Sequence, residues 1–358
     1  MTNQAAKHLS QSDIAIQIER LVNAVIRHDG PAFRISYDAQ GDEVIERTRL
    51  SRYFDHIRQM YHLVHDEKYA LSEHLLAFKD ACYDIGIEFG MFGMTCMDES
   101  EGGLLSEAQT YNWLVERIRE HVQTKWFKRG KHDRVCREKR NRQVVTEYVE
   151  RVMDSRSRTV VVRVNLYYRE AARARLKVED VFEDLDRLIR AREYDPVFQH
   201  ETGYICAVEQ GEDMGYHIHA AFFFDGRNVL MDIVKAKAIG KLWERITDGW
   251  GYFHSCNHDK ARYKERCGVG MFKHRDGTGK QNVIDACHYL IEDGQSMRVR
   301  PVGARTLRIG RIPRGEPPRV SRRLFRLSQA AAWIATCLCS YSASNSAGGL
   351  FPIGSSSR

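Results

Sequence analysis

The sequence predicts an α+β protein whose helical N-terminal half precedes an antiparallel sheet with helices packed on it. Up to about residue 150, apolar residues recur at spacings of three and four, which is the period of an amphipathic helix. From Thr159 the segment TVVVRVNLYY is rich in β-branched and aromatic residues, as buried strands are. After it, the predicted order of strand, helix, strand, strand, helix, helix is typical of a sheet with helices on one face.

The chain is long enough for two domains. Its 358 residues can be compared with the roughly 100–200 residues of a typical domain. We place a helical region at residues 1–150, a sheet domain at 151–320 and a low-complexity tail at 321–358. The Ser-rich end of that tail predicts disorder.

Four helices are predicted in the first region, and strand-like alternation is scarce there. We expect this half to act as a scaffold. Ser106 and Gln109 resemble a capping box at the start of the fourth helix. The four helices cover Ile14 to Val25, Tyr53 to Val64, Ser72 to Tyr83 and Ser106 to Val122.

The densest positive charge lies between Lys125 and Arg142, where nine Lys or Arg residues stand against two acids. Such a run is either a solvated helix face or a strip that contacts phosphates, with Trp126 and Phe127 available for base stacking. In the second interpretation, the residues that contact nucleic acid are Lys125, Lys128, Arg129, Lys131, Arg137, Lys139 and Arg140.

The sheet domain begins with the strand at Thr159. Gly203 to Glu209 and Tyr216 to Phe224 are further strands, and the turn-rich residues 210–215 between them predict a hairpin. The predicted helices cover Val178 to Arg192, Val234 to Ile246 and Gln281 to Ile291.

His217 and His219 lie in the apolar strand that follows the hairpin. The strand period of two places both imidazoles on one face, and Glu209 on the preceding strand can supply a third ligand. Such a set leaves coordination positions open for water or a phosphate oxygen. The alternative is a pair of hydrogen-bonded core histidines beside a solvated glutamate.

Two other groups of residues are weaker candidates. The first could form a zinc site, but its spacings match no standard finger; it comprises His254, Cys256, His258, Cys267 and His274. The segments Gly268 to Gly270 and Gly277 to Lys280 resemble phosphate loops without completing the P-loop pattern, so we interpret them as turns.

The composition argues against a membrane protein and against wholesale disorder, since 43% of the residues are hydrophobic and 29% are charged. The longest uncharged stretch, near the C-terminus, is too short and too polar to span a bilayer. Nine scattered cysteines and a polar N-terminus without a signal-peptide core predict a cytoplasmic location with free thiols. The net charge of +7 favours a polyanionic partner.

The segment GYICAVEQGEDMGYHIHAAFFFDGR resembles the histidine-hydrophobe-histidine (HUH) motif of rolling-circle replication initiators. The resemblance is to the inovirus gene-two-protein type, also called the YagK/YfjJ C-terminal domain family. It extends over about residues 148–307, with a weaker similarity around LSEHLLAF. The supporting stretches are YVERVMDSRSRTVVVRVNLYY, AKAIGKLWERIT and HYLIEDGQ.

This resemblance implies an HUH endonuclease domain and assigns roles to four residues. Glu209, His217 and His219 would hold a divalent metal, Mg²⁺ or Mn²⁺, and Tyr289 would be the nucleophile that forms a 5′-phosphotyrosine intermediate. The implied substrate is single-stranded or origin DNA, and host replication proteins are further partners.

The sequence departs from the family at two positions. Asn165 stands where the first strand usually has Asp, and Glu292 stands where a lysine usually follows the tyrosine by three residues. A carboxylate one helical turn from the nucleophile would repel the scissile phosphate.

Two functions therefore compete. The first is a site-specific single-strand endonuclease and strand-transferase that initiates rolling-circle DNA replication of a phage or prophage element. The alternative is a catalytically weakened or inactive DNA-binding prophage protein derived from such an initiator. A phosphoesterase that uses water instead of tyrosine would need further acidic ligands, which the sequence does not offer.

Overall fold

The N-terminal part of the chain is helical, as the spacing predicts. The computed structural model describes residues 9–91, 93–98, 102–291 and 297–311. The capping box is present: Ser106 accepts the Gln109 N–H, and the Gln109 side chain accepts the Ser106 N–H. The helices are α1 (Gln11–Arg27), α2 (Ile57–Val64), α3 (Glu73–Asp84), α4 (Glu107–Gln123) and α5 (Lys125–Asp154).

This half also contains short strands that the sequence pattern does not reveal. Two of the strand pairs are local antiparallel hairpins, β1 with β2 and β4 with β5. Each strand has three to five residues with mostly exposed or half-buried side chains, so no buried alternation marks it. The strands are β1 (Phe33–Tyr37), β2 (Glu43–Arg47), β3 (Tyr69–Leu71), β4 (Glu88–Gly90) and β5 (Gly93–Thr95).

Helix α5 has 30 residues and is about 45 Å long at 1.5 Å per residue. No residue between Lys128 and Val144 is buried. Beyond that stretch, Val145, Tyr148 and Val152 pack on the sheet. The basic run therefore lies on a part of the helix that faces solvent rather than the core.

The described part of the chain includes a six-stranded, antiparallel sheet in the order β10-β6-β8-β7-β12, with β9 also pairing with β6. A separate strand, β11 (Val299–Pro301), pairs with β3. The strands of the sheet are β6 (Arg158–Tyr168), β7 (Glu201–Gly211), β8 (Gly215–Asp225), β9 (Gly251–Ser255), β10 (Gly270–Lys273) and β12 (Leu307–Ile309). The remaining helices are α6 (Glu170–Arg173), α7 (Val178–Ala191), α8 (Asp232–Ile246) and α9 (Gly277–His288). The fold is therefore α+β.

Helices cover both faces of the sheet, so the expectation that they lie on one face is wrong. Val162 and Phe222 face a core shared with α1, α7 and α8, whereas Val161 and Phe223 face a second core shared with α5 and α9. The reason is visible in β6, where the residues from Thr159 to Val164 are all buried, as expected of a strand enclosed on both sides.

The described residues all belong to one compact unit. Among them, no helix combines the length and apolar character that a membrane crossing requires. The predicted tail at 321–358 lies outside the described residues.

Candidate metal centre

The β7–β8 hairpin brings Glu209, His217 and His219 together. The two strands place Glu209 directly opposite His217, and His219 follows two residues later on the same face. All three side chains are buried, and one ligand atom from each lies within 4.8 Å of the others. This group could hold a metal ion.

The spacing of the ligand atoms suits a divalent cation. The Glu209 Oε2 atom lies 3.1 Å from His219 Nε2 and 3.8 Å from His217 Nε2, and the two Nε2 atoms are 3.2 Å apart. Metal–ligand bonds of about 2.0–2.2 Å separate neighbouring ligand atoms by about 3 Å. The three atoms can therefore reach one ion with little movement.

Hydrogen bonds on the far side of each ring orient the two imidazoles. His217 Nδ1 donates to the Gly215 carbonyl oxygen at 3.0 Å, and His219 Nδ1 donates to Asn165 Oδ1 at 2.7 Å. A proton on Nδ1 places the Nε2 lone pair on the side where a metal could bind. Gly215 lies where the hairpin turns, with a φ of +63° that glycine adopts without strain.

Asn165 is a site residue whose role the sequence analysis did not identify. It lies on β6 directly opposite His219, so it stands beside the ligands as a hydrogen-bond acceptor. The signal available in the sequence was a polar side chain within a mostly apolar strand, because a polar side chain that becomes buried needs a hydrogen-bond partner.

Tyr289 lies next to the cluster, at the end of α9. The helix ends at His288 and a 3-10 turn runs from Tyr289 to Ile291, so the expected continuous helix over 281–291 is wrong in its last turn. The centroid of the Tyr289 ring is 6.3 Å from that of His219, and the residue is 46% exposed. The helix packs on the metal-site face of the sheet through Val283 and Cys287.

Two further residues on this face of β6 were missed by the sequence analysis. The guanidinium carbon of Arg163 lies 4.6 Å from the Tyr289 ring centroid. The Tyr167 ring lies 5.5 Å from the His217 ring, and burial is the main cause that raises the pKa of Tyr167. The period of two in β6 places Arg163, Asn165 and Tyr167 on one face.

The basic run on α5 is exposed, but only one of its two aromatic residues is available. Trp126 is exposed, whereas Phe127 is only 2% exposed and packs against His74. The expectation that Phe127 could stack on a base is therefore wrong. All seven candidate contact residues are exposed, namely Lys125, Lys128, Arg129, Lys131, Arg137, Lys139 and Arg140.

A cleft of about 800 Å³ connects this helix with the metal cluster, since Trp126, Arg137 and Glu209 all line it. We call it the arginine cleft, after its lining residues Arg134, Arg137, Arg298, Arg300 and Arg305.

Two of these arginines are neutralised and three are not. Arg134 pairs with Glu73 at 3.0 Å, and Arg298 pairs with Glu19 at 2.8 Å. No carboxylate of a described residue is within ion-pair distance of the other three, Arg137, Arg300 and Arg305. Burial and then the Arg137 guanidinium lower the pKa of Arg300, so these two cations lie near each other.

The weaker candidates do not form sites. His254 Nε2 lies 2.7 Å from Asp259 Oδ2, and the Cys267 thiol donates to the Val269 carbonyl. Over residues 9–91, 93–98, 102–291 and 297–311, the group of Glu209, His217 and His219 is the one found with metal-binding geometry. The segment Gly277 to Lys280 forms the first residues of α9, so its interpretation as a turn is wrong. Its Lys280 donates to Asp154 at 2.6 Å.

Glu292 lies outside the described residues. Comparisons with protein-family models, with curated proteins and with solved structures found no match.

Proposed function

We propose that the protein is a metal-dependent tyrosine endonuclease and strand-transferase of the HUH type, which nicks single-stranded origin DNA to initiate rolling-circle replication of a phage or prophage element. One observation carries the proposal: a buried cluster of one glutamate and two histidines shares a sheet face with an exposed tyrosine, and their rings are in near contact. A structural histidine pair would need neither the carboxylate nor the exposed phenol.

The metal would be Mg²⁺ or Mn²⁺, held by Glu209, His217 and His219. When bound, such a metal would supply polarisation of a non-bridging oxygen of the scissile phosphate. The Tyr289 Oη atom attacks phosphorus as the phenol loses its proton to water, and an O–P bond forms. The bond from phosphorus to the 3′ oxygen breaks, and that oxygen leaves as a hydroxyl after taking up a proton. The 5′ phosphate stays esterified to Tyr289, so the bond energy is kept for rejoining.

Charge on the surface supports a polyanionic partner. The exposed cations of α5 lie along the helix whose Arg134 and Arg137 also line the arginine cleft. A single strand in this cleft would contact a lining that includes Arg137, Arg300 and Arg305 as well as Glu209. Phosphate contacts of this kind supply most of the affinity of sequence-independent binding.

The test is the covalent adduct. Wild-type protein is incubated with a single-stranded oligonucleotide library and Mn²⁺, then denatured and separated by electrophoresis. We expect an adduct that Tyr289→Phe eliminates without unfolding, because this change removes only the oxygen. His217→Ala and His219→Ala should abolish the adduct and leave DNA affinity largely intact, and Tyr263→Phe is the matched tyrosine control.

Two results would contradict the proposal. An adduct that survives Tyr289→Phe would assign the nucleophile to another tyrosine, such as Tyr263 or Tyr167. A wild type that binds Mn²⁺ and DNA but forms no adduct would favour the alternative, a DNA-binding protein derived from an initiator. In that case the variant Glu292→Lys is tested, because this change replaces a side chain that repels the phosphate by one that attracts it. An adduct formed by the variant would indicate a site silenced by Glu292, and no adduct would indicate a site that never cleaved.

A further inference from the structure

A buried arginine without an acidic partner lies beneath the candidate nucleophile. Arg163, on β6, is only 6% exposed. No carboxylate of a described residue is within ion-pair distance of its guanidinium, and its Nε atom has no hydrogen-bond partner. The backbone at this position is fixed, since the Arg163 N–H donates to Asn257 Oδ1 at 2.8 Å.

The groups that face this guanidinium do not neutralise it. The Tyr289 ring offers it a cation–π contact but carries no charge in its phenol form. Burial is the main cause that raises the pKa of both Tyr263 and Cys287 to about 12, so both side chains are neutral at pH 7. Buried cations are normally paired, and none of the described residues supplies a counter-charge to Arg163.

The position of Arg163 indicates which anion it would take. It lies two residues before Asn165 on the same face of β6, about 7 Å along the strand. Asn165 holds the ligand His219, and the Tyr289 ring lies over Arg163 itself. An anion bound at this guanidinium would therefore lie beside both the nucleophile and the metal cluster.

We propose that Arg163 is the phosphate-binding group of this site: its guanidinium holds a non-bridging oxygen of the scissile phosphodiester against Tyr289. The fork of the guanidinium matches the geometry of phosphate oxygens. This proposal rests on the proposed function for the identity of the ligand, a phosphodiester in a single strand. The anion site itself can be tested without cleavage.

The first test uses inorganic phosphate alone, with neither metal nor DNA. Thermal unfolding of the full chain is followed over a phosphate series at constant ionic strength, because a ligand that binds the native state raises the melting temperature. We expect Arg163→Met to weaken the apparent phosphate affinity about tenfold or more, as for loss of a charge-assisted hydrogen bond, and Arg163→Lys to retain part of it. Arg245→Met is the matched control, since Arg245 is exposed on α8 at the opposite face.

The stability of Arg163→Met separates a binding role from a structural one. Methionine keeps the apolar stem and removes a buried charge without an ion-pair partner, so the variant should unfold no earlier than wild type in phosphate-free buffer. If Arg163 instead has a structural role, Arg163→Met should unfold at a lower temperature than wild type. An Arg163→Met protein that is less stable than wild type and responds equally to phosphate would overturn the proposal.

The second test adds DNA and Mn²⁺. Arg163→Met should slow adduct formation about tenfold or more while leaving Mn²⁺ affinity unchanged, since Arg163 is not a ligand. A wild type that forms no adduct would contradict the proposed function alone, because the phosphate response still decides the role of Arg163. An Arg163→Met protein that forms adduct at the wild-type rate would contradict the role of Arg163 and leave the proposed function standing.

Discussion

At the scale of single residues, the candidate metal cluster includes a neutral hydrogen-bond acceptor. Asn165 Oδ1 accepts the His219 Nδ1–H at 2.7 Å, and this fixes which nitrogen of His219 faces the cluster. A carboxylate there would do the same and would also raise the basicity of the imidazole. The asparagine therefore preserves the orientation of His219 but gives the imidazole less electrostatic support than an aspartate would.

We predict that Asn165→Ala weakens Mn²⁺ binding about 10–100-fold, the usual effect of removing a residue that orients a metal ligand. Asn165→Asp should bind Mn²⁺ at least as tightly as wild type, because it supplies a charged acceptor. Free Mn²⁺ measured by electron paramagnetic resonance gives the affinity. Asn228→Ala, at an exposed position after β8, is the control, and an Asn165→Ala protein with wild-type affinity would contradict this account.

A second residue-scale prediction concerns Asp184 on α7. It is buried and accepts a hydrogen bond from the Tyr168 hydroxyl at 3.0 Å, and burial raises its pKa from 3.8 to about 6. A carboxyl with a raised folded-state pKa favours folding while it is protonated. Its contribution is complete below about pH 4 and is lost as the pH rises to about 6.

Relative to Asp184→Asn, the wild type should therefore lose about 1–2 kcal/mol of unfolding free energy between pH 4 and pH 6 and change little above that, after allowance for partial contact with water. Urea unfolding at intervals of one pH unit measures the difference. Asp186→Asn, at a residue whose side chain is 54% exposed, is the control. A constant difference between wild type and Asp184→Asn from pH 4 to pH 7 would mean that the carboxyl titrates normally.

At the scale of elements, α5 is electrostatically unusual. Its first turn contains Lys125 and Lys128 but no acidic residue, so cations stand at the positive end of the helix dipole. No residue between Lys128 and Val144 is buried, so packing of the core does not account for the positive charge of this part of the helix. A phosphate backbone along the helix would relieve the repulsion, whereas solvent alone would only screen it.

We predict that replacing Lys125, Lys128, Arg129 and Lys131 together by Gln weakens binding of every single-stranded sequence alike. The slope of log affinity against log salt should fall by about 0.7 for each lost phosphate contact. Fluorescence anisotropy over a salt series measures it. Lys237→Gln with Lys241→Gln is the control, because both residues are exposed on α8, on the other face of the sheet. Unchanged slopes would assign the α5 run to a solvated surface.

At the scale of the whole molecule, the sheet joins the two halves of the chain. Each of its two faces packs against a different hydrophobic core, and α1 and β8 both contribute residues to the first core. Helix α5 starts in the N-terminal half and closes the second core with α9. Burial of this kind couples the stability of the helical region to that of the sheet.

We therefore predict one cooperative unfolding transition for residues of both halves. Ile18→Ala, in α1, and Phe223→Ala, in β8, remove fully buried side chains and should each destabilise that transition by about 2–5 kcal/mol. Scanning calorimetry and urea unfolding with two probes test it. Val44→Ala is the exposed control. Two separate transitions, with Ile18→Ala affecting only one, would show that the halves fold independently.

The sequence by itself determined the elements with a strong local period and the convergence of Glu209, His217 and His219. The helical spacing in α1 and α7 and the β-branched run in β6 are local properties that packing did not override. The convergence follows from the period of two within a strand and from a tight hairpin, whose turn fixes the register between neighbouring strands. Neither depends on the rest of the molecule.

Only the tertiary structure decided which residues surround that cluster. Asn165 contacts it because β6 pairs with β8 at a register set across more than 50 residues of chain, and no local pattern encodes such a pairing. The burial of Phe127 and the place of Tyr289 depend on how α5 and α9 dock. The sequence also left open whether helices cover one face of the sheet or both. A continuous apolar strand is compatible with either arrangement, and only the positions of the helices distinguish them.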